Sequence, residues 1–220
     1  MTVFFDLDKT LLDVNSGSEW LKHEFKAGRV TLWQTLQAIV WLLLYHFFGA
    51  DMTRPLRLAM QSLAGAEEAE IVARSDAFYQ SHMTGHLRPG ARKALDFHRA
   101  QGHSLVLLTS SSVYLARRVS EDLQLDGYLA TSLGVDAQGK LTGAPGAEIC
   151  FGPGKVVLAK KYLEEHGGSL EQSMFYSDSY TDLPMMEAVA EAIAVNPDPK
   201  LHREAQRRGW PIRDWGTSGN

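Results

Sequence analysis

Cysteine is nearly missing from this chain: 220 residues carry one, Cys150, so no internal disulfide can form. A fold without that staple fits a reducing compartment, and a cytoplasmic location is the expectation. A large excess of charge is missing too. The formal net charge is −4, from 22 Lys and Arg against 26 Asp and Glu, with no basic stripe, which speaks against a nucleic-acid partner. No repeat or low-complexity tract is visible. A secretory leader is not expected, because Asp6 and Asp8 arrive before any apolar run. The remaining composition, 45% apolar and 22% charged, suits one sizeable core or a core with a small second domain.

Long uncharged stretches are scarce, with one exception at 32–48, which contains no Asp, Glu, Lys or Arg. A bilayer span needs ~20 apolar residues, or about 17 at the least, and Gln34, Gln37 and His46 interrupt this one. A buried or interfacial helix is the expected reading. Its Trp33, Trp41, Tyr45, Phe47 and Phe48 also admit a greasy pocket or a contact with a membrane surface.

What is present alternates between strand and helix patterns. Residues 2–5 read as a short buried strand. Helical patterns follow at 18–27 (capped by Ser16 or Ser18), 32–48, 54–63 and 67–82. After Pro89 come a helix at 91–101, an apolar strand at 104–108, a helix at 113–123, and strands at 128–133 and 140–142 around a Gly139 turn. A helix at 155–166, a strand at 173–176, a helix at 182–190, a strand at 192–195 and a helix at 199–208 complete the chain. The expected fold is α/β: a Rossmann-like three-layer α/β/α core with a parallel sheet, plus an all-helical cap inserted after the first strand. The core takes 1–14 and 86–220, and the cap takes 15–85.

Ligands of such sheets bind beyond the carboxyl ends of the strands, and there the polar clusters fall: Asp6-Leu7-Asp8, Thr109-Ser110 and Asp178. Residues two apart on extended chain point to the same side, so Asp6 and Asp8 can face one ligand. One carboxylate can act as a nucleophile toward phosphorus and the other as general acid and then base. Two anions meeting an anionic phosphate require a cation, and hard oxygen ligands favour Mg²⁺. An isolated Asp-x-Asp is weak and often marks a solvated turn. Here FFDLDKTLL, residues 4–12, gives it apolar flanks and Thr10. Thr109 can be an edge hydroxyl or part of an anion site with the following helix start. Lys155 opens a helix, where a cation runs against the dipole, so either a functional cause or a solvated lysine accounts for it. Asp182 can cap the helix before Leu183-Pro184, orient Lys155, or both.

FFDLDKTLL resembles the first motif of the haloacid dehalogenase superfamily in its phosphoserine-phosphatase-like branch, subfamily IB. Ser104-Leu-Val-Leu-Leu-Thr109-Ser110, Gly152-Pro153-Gly154-Lys155 and Tyr176-Ser-Asp178-Ser-Tyr-Thr-Asp182-Leu-Pro are similar to the three motifs that follow. Val195-Asn-Pro-Asp-Pro-Lys200-Leu resembles the segment after them. The resemblance implies a phosphatase that passes through an aspartyl phosphate on Asp6. It implies Asp8 as acid/base, with its backbone carbonyl on Mg²⁺. Asp6 and Asp178 are the implied carboxylate ligands, and Asp182 supports the metal water or Lys155. Lys155, Thr109 and the N–H groups of Leu7 and Ser110 are the implied phosphate holders.

The substrate is less defined. Phosphoserine phosphatases carry a glutamate nine residues after the nucleophile, where this chain has Asn15; Glu19, one turn on, is a substitute or a first-turn helix acid. Arg54, Arg57 and Arg74 could meet a carboxylate or lie on solvated faces. The expected substrate is a small organic phosphate ester. A lipid-like phosphate, a phosphotransferase and a non-catalytic phosphate-binding module are the alternatives.

Overall fold

A computed structural model describes residues 1–29 and 53–219. The expected helix at 32–48 therefore lies outside the described residues. Strands β1 (Thr2–Phe5), β2 (Ser104–Ser112), β3 (Gly127–Thr131), β6 (Ser173–Ser177), β7 (Glu191–Val195) and β8 (Ile212–Arg213) form one parallel sheet in the order β3-β2-β1-β6-β7-β8. Strands β4 (Leu133–Val135) and β5 (Leu141–Pro145) pair antiparallel as a separate hairpin.

The apolar runs of β1, β2, β6 and β7 have no polar face because both faces of the sheet are covered. Successive side chains feed opposite cores. Val3, Phe5, Leu105, Leu107 and Met174 join one cluster, and Phe4, Val106, Leu108 and Phe175 the other. Helices α4 (Pro89–Ala100) and α5 (Val113–Asp122) pack on the first through Leu95, Leu115 and Val119. Helices α6 (Pro153–His166), α7 (Leu183–Ala188) and α8 (Pro199–Arg208) pack on the second through Leu163, Met185 and Leu201. Between β1 and β2 run α1 (Ser16–Lys26), α2 (Thr53–Gln61) and α3 (Glu68–Phe78), which add no strand to the sheet.

Several expected boundaries move. The strand expected at 128–133 divides: its first part stays in the sheet, while Leu133 starts the hairpin turning at Gly139. That hairpin zips onto the segment before α3, where Gly65 N–H donates to Leu141 O at 2.8 Å and Leu141 N–H to Ala66 O at 2.8 Å. Helix α1 begins at Ser16 because Asn15, not Ser16 or Ser18, is its cap; Asn15 Oδ1 accepts from Ser18 N–H at 2.9 Å. Strand β2 does not stop at Leu108. It leaves β3 after Leu108, bulges, and rejoins it where Ser112 faces Thr131. A bulge there re-aims Thr109–Ser111 at the edge of the sheet.

Chain connections run from β1 outward to β2 and β3, then cross to β6 on the other side. The crevice where connections diverge lies between β1 and β6, and it is the expected ligand position for this sheet class. Asp6 and Asp178 stand at its two lips.

Candidate active site

Asp6 follows β1, and its N–H donates to Tyr176 O on β6 at 2.9 Å. The chain then folds into a tight turn, with Leu12 N–H reaching Leu7 O at 3.0 Å. Lys9 takes φ 58°, a left-handed conformation that costs a non-glycine residue roughly 1 kcal/mol or more. Asp6 (φ −71°, ψ 159°) and Asp8 (φ −69°, ψ 127°) themselves keep extended backbone, and Lys9 reverses the chain after them. Asp8 Oδ1 accepts from Ser16 N–H at 2.7 Å and Oδ2 from the Ser16 hydroxyl at 3.0 Å, so the start of α1 grips it.

Lys155 lies in the first turn of α6 and is 1% exposed. Its Nζ donates to Asp6 Oδ1 and to Asp182 Oδ2, both at 2.7 Å. Asp6 Oδ2 accepts no hydrogen bond from the described residues. The solvated-lysine alternative is gone. Asp182 occupies the position before α7 but makes no side-chain cap; its Oδ2 is shared by Lys155 and the Ser177 hydroxyl, at 2.7 Å from the latter. Asp178 Oδ1 accepts from Thr10 Oγ1 at 3.2 Å, and its carbonyl accepts from Asp198 N–H at 2.8 Å.

Thr109 is buried, and its Oγ1 accepts from Ser111 N–H at 3.1 Å. The helix that follows starts at Val113, as expected, and the bulge at Thr109–Ser111 lies between it and the straight part of β2. Ser110 O is fixed by the Thr131 hydroxyl at 3.2 Å, and Leu7 opens the turn after Asp6. Of the residues between β1 and β2 named as substrate candidates, Asn15 is occupied as the N-cap of α1, Glu19 pairs with Lys22 at 2.7 Å, and Arg74 bonds Glu24. None of these contacts points to a substrate carboxylate.

Sequence reasoning passed over Ser16, Thr10 and Ser177 as partners of Asp8, Asp178 and Asp182. Their signal is faint: a hydroxyl four residues after Asp6, one beside Asp178, and one at a helix start.

The site is unbalanced in charge, with one buried ammonium facing the carboxylates of Asp6, Asp8, Asp178 and Asp182. Burial pushes Asp6 up to about 7, with Asp182 and Asp8 adding to the rise and Lys155 opposing it. Burial also carries Asp178 well above the usual carboxylate range, aided by Asp6 and Asp182. Asp8 rises through burial against the pull of Ser16. Burial alone would pull Lys155 down, but Asp182 and Asp6 outweigh it and hold it protonated.

The family model for haloacid dehalogenase-like hydrolases matches residues 3–187. The chain belongs to that family. A histidinol-phosphatase of Neisseria meningitidis serogroup C is 28% identical over 212 residues, covering 94% of this chain and 96% of its own length. A phosphoserine phosphatase of Mycobacterium tuberculosis is 31% identical over 217 residues, covering 96% and 70%. The solved structure of a protein of unknown function from Bordetella pertussis Tohama I matches with a TM-score of 0.87 at 28% identity, covering 98% of each chain. This haloacid dehalogenase-like hydrolase is an enzyme of the phosphatase kind.

Do its residues suit a divalent cation? Among the described residues, no three His, Cys, Asp or Glu side chains form a ready metal cluster. The expected set needs only two carboxylates, Asp6 and Asp178, with the Asp8 carbonyl. The charge of Asp6 adds to the rise of Asp178, so the two carboxylates lie close enough to repel, and a cation between them would relieve that repulsion. An all-oxygen set of this kind fits Mg²⁺.

Proposed function

We propose that this phosphatase hydrolyses a small organic phosphate monoester through an aspartyl phosphate on Asp6. The observation that supports the reading is the bridge of Lys155 between Asp6 Oδ1 and Asp182, which fixes the Asp6 carboxylate and engages only one of its oxygens. Oδ2 attacks phosphorus as the ester P–O bond breaks. Asp8, whose proton affinity burial raises, gives its proton to the departing alkoxide. Asp8 then takes a proton from water; the water oxygen attacks phosphorus and Asp6 is released with inorganic phosphate. Lys155, Thr109 and the N–H groups of Leu7 and Ser110 hold the phosphoryl oxygens. Asp6, Asp178 and the Asp8 carbonyl would hold Mg²⁺, which would supply the positive charge that lets these anions meet a phosphate. Residues 15–85 act as the cap over 1–14 and 86–220, excluding water from the leaving group.

For the substrate we favour a phosphate ester of a 2-amino alcohol. Histidinol phosphate and phosphoserine, the substrates that the relatives' names denote, share that unit. A panel of histidinol phosphate, phosphoserine, phosphoethanolamine, glycerol phosphate and lysophosphatidate tests this. Turnover should concentrate on the first three, with histidinol phosphate foremost because Asn15 is committed to capping α1. Preference for glycerol phosphate or lysophosphatidate would refute the amino-alcohol reading.

A further inference from the structure

The turn carrying Asp8 has to be held by something, because its Lys9 sits in a conformation that a lysine adopts at a cost. Arg88 holds it. This residue is 7% exposed and lies just before α4, where the chain returns from the helical segment. Its backbone N–H donates to Leu11 O at 2.9 Å and its Nε to Lys9 O at 3.0 Å. Its second guanidinium contact goes to Gly216 O in the carboxy-terminal segment. Among the described residues its side chain bonds backbone carbonyls and no carboxylate. The charge of Asp214 reaches Arg88 only through space, and the hydrogen bonds of this buried cation go to two carbonyls, an arrangement suited to holding backbone rather than to pairing charge.

The same segment is fastened on both sides. Gly90 N–H donates to Trp215 O at 3.0 Å, and a Cβ on Gly90 would stand 2.4 Å from Trp215 Cγ, so only glycine lets the indole seat there. Ser218 donates its N–H to Asp13 Oδ2 at 2.6 Å and its hydroxyl to the same oxygen at 2.5 Å, while His86 Nδ1 lies 3.0 Å from Asp13 Oδ1. Asp13 follows Leu12 and His86 precedes Leu87, the two residues of an isolated antiparallel bridge.

We propose that Arg88, braced by residues 215–218, is a positioning residue that fixes the Lys9 carbonyl and through it aims Asp8 at the leaving-group oxygen. The inference rests on the reading of Asp8 as general acid. An alkyl phosphate needs its leaving oxygen protonated, whereas p-nitrophenyl phosphate releases a stable anion and does not. The signature is therefore a selective loss, measured as kcat/KM, which covers formation of the aspartyl phosphate.

Arg88→Met should lower kcat/KM for the best alkyl ester of the panel roughly tenfold more than for p-nitrophenyl phosphate, within the range general acids contribute. Arg88→Lys should recover part of that ratio. Gly90→Ala, which keeps Arg88 but unseats Trp215, should shift the ratio in the same direction. If Arg88→Met does not fold, Arg88→Lys and Gly90→Ala carry the test. Equal losses on both substrates in these variants, while Asp8→Asn shifts the ratio, would overturn the role of Arg88 and leave the acid in place. An unshifted ratio in Asp8→Asn would sink the acid assignment, and this inference with it.

Discussion

Replacing Lys155 by methionine removes the buried ammonium of the site while keeping an unbranched apolar stem. Two carboxylates, on Asp6 and Asp182, lose a partner at 2.7 Å in surroundings where Lys155 itself is 1% exposed. Removing one member of a buried ion pair costs about 3–5 kcal/mol. The cost should not double, because Asp182 keeps the Ser177 hydroxyl and a carboxylate can take up a proton instead. That proton gives the prediction its sign. A carboxylate with a raised folded pKa binds more protons folded than unfolded, so its penalty shrinks as pH falls toward the unfolded value near 3.9, by about 1.4 kcal/mol per pH unit per proton. Urea unfolding in chelator should show Lys155→Met less stable by about 3–5 kcal/mol at pH 7.5, with a smaller deficit at pH 5.5. Adding Asp182→Asn should return about 1–3 kcal/mol. Unfolding midpoints equal to wild type, or a deficit that widens on acidification, would refute the buried bridge.

Metal removal gives a second test that does not depend on turnover. Mg²⁺ at a hundred times its dissociation constant should stabilise the fold by about 2.7 kcal/mol, read as a higher Tm than in chelator, and Asp178→Asn should erase most of that difference. A third prediction concerns His98, buried against Tyr176 Oη at 2.8 Å and His103 Nδ1 at 2.9 Å. Burial, with His103 adding to it, pulls His98 down to about 4. The unfolded chain then takes up a proton from pH 6.5 downward while the folded chain does not, so stability falls between pH 6.5 and about 4 by up to about 1.4 kcal/mol per pH unit. His98→Phe should flatten that part of the wild-type slope in urea titrations, and an unchanged slope would contradict the buried neutral ring.

The parts of the site legible in the sequence are those where a polar residue interrupts an apolar strand. Asp6, Thr109 and Asp178 announce themselves because parallel strands covered on both faces leave no other reason for such residues at their ends. Lys155 was visible as a cation against a helix dipole, and its burial confirms that the dipole was not the governing term. The hydroxyl partners were not legible. Ser16, Thr10 and Ser177 look like any cap or turn residue until the fold brings Asp8, Asp178 and Asp182 onto them. Asn15 shows the same ambiguity in reverse, since its position suggests a substrate contact and its side chain caps α1. The bulge at Thr109–Ser111 and the hairpin at Gly139 depend on pairing with distant chain, which periodicity within a window does not encode. Arg88 was invisible for the same reason: its partners lie in the Asp6 turn and at Gly216.

The central claim is covalent, and its most direct test is to catch the phosphoryl group on the protein. Acid quenching of the enzyme during turnover of a ³²P-labelled ester, followed by peptide mapping, should place the label on Asp6 in a hydroxylamine-sensitive acyl phosphate, and Asp6→Asn should carry none and turn over nothing. Label on another residue, or an active Asp6→Asn, would contradict the account.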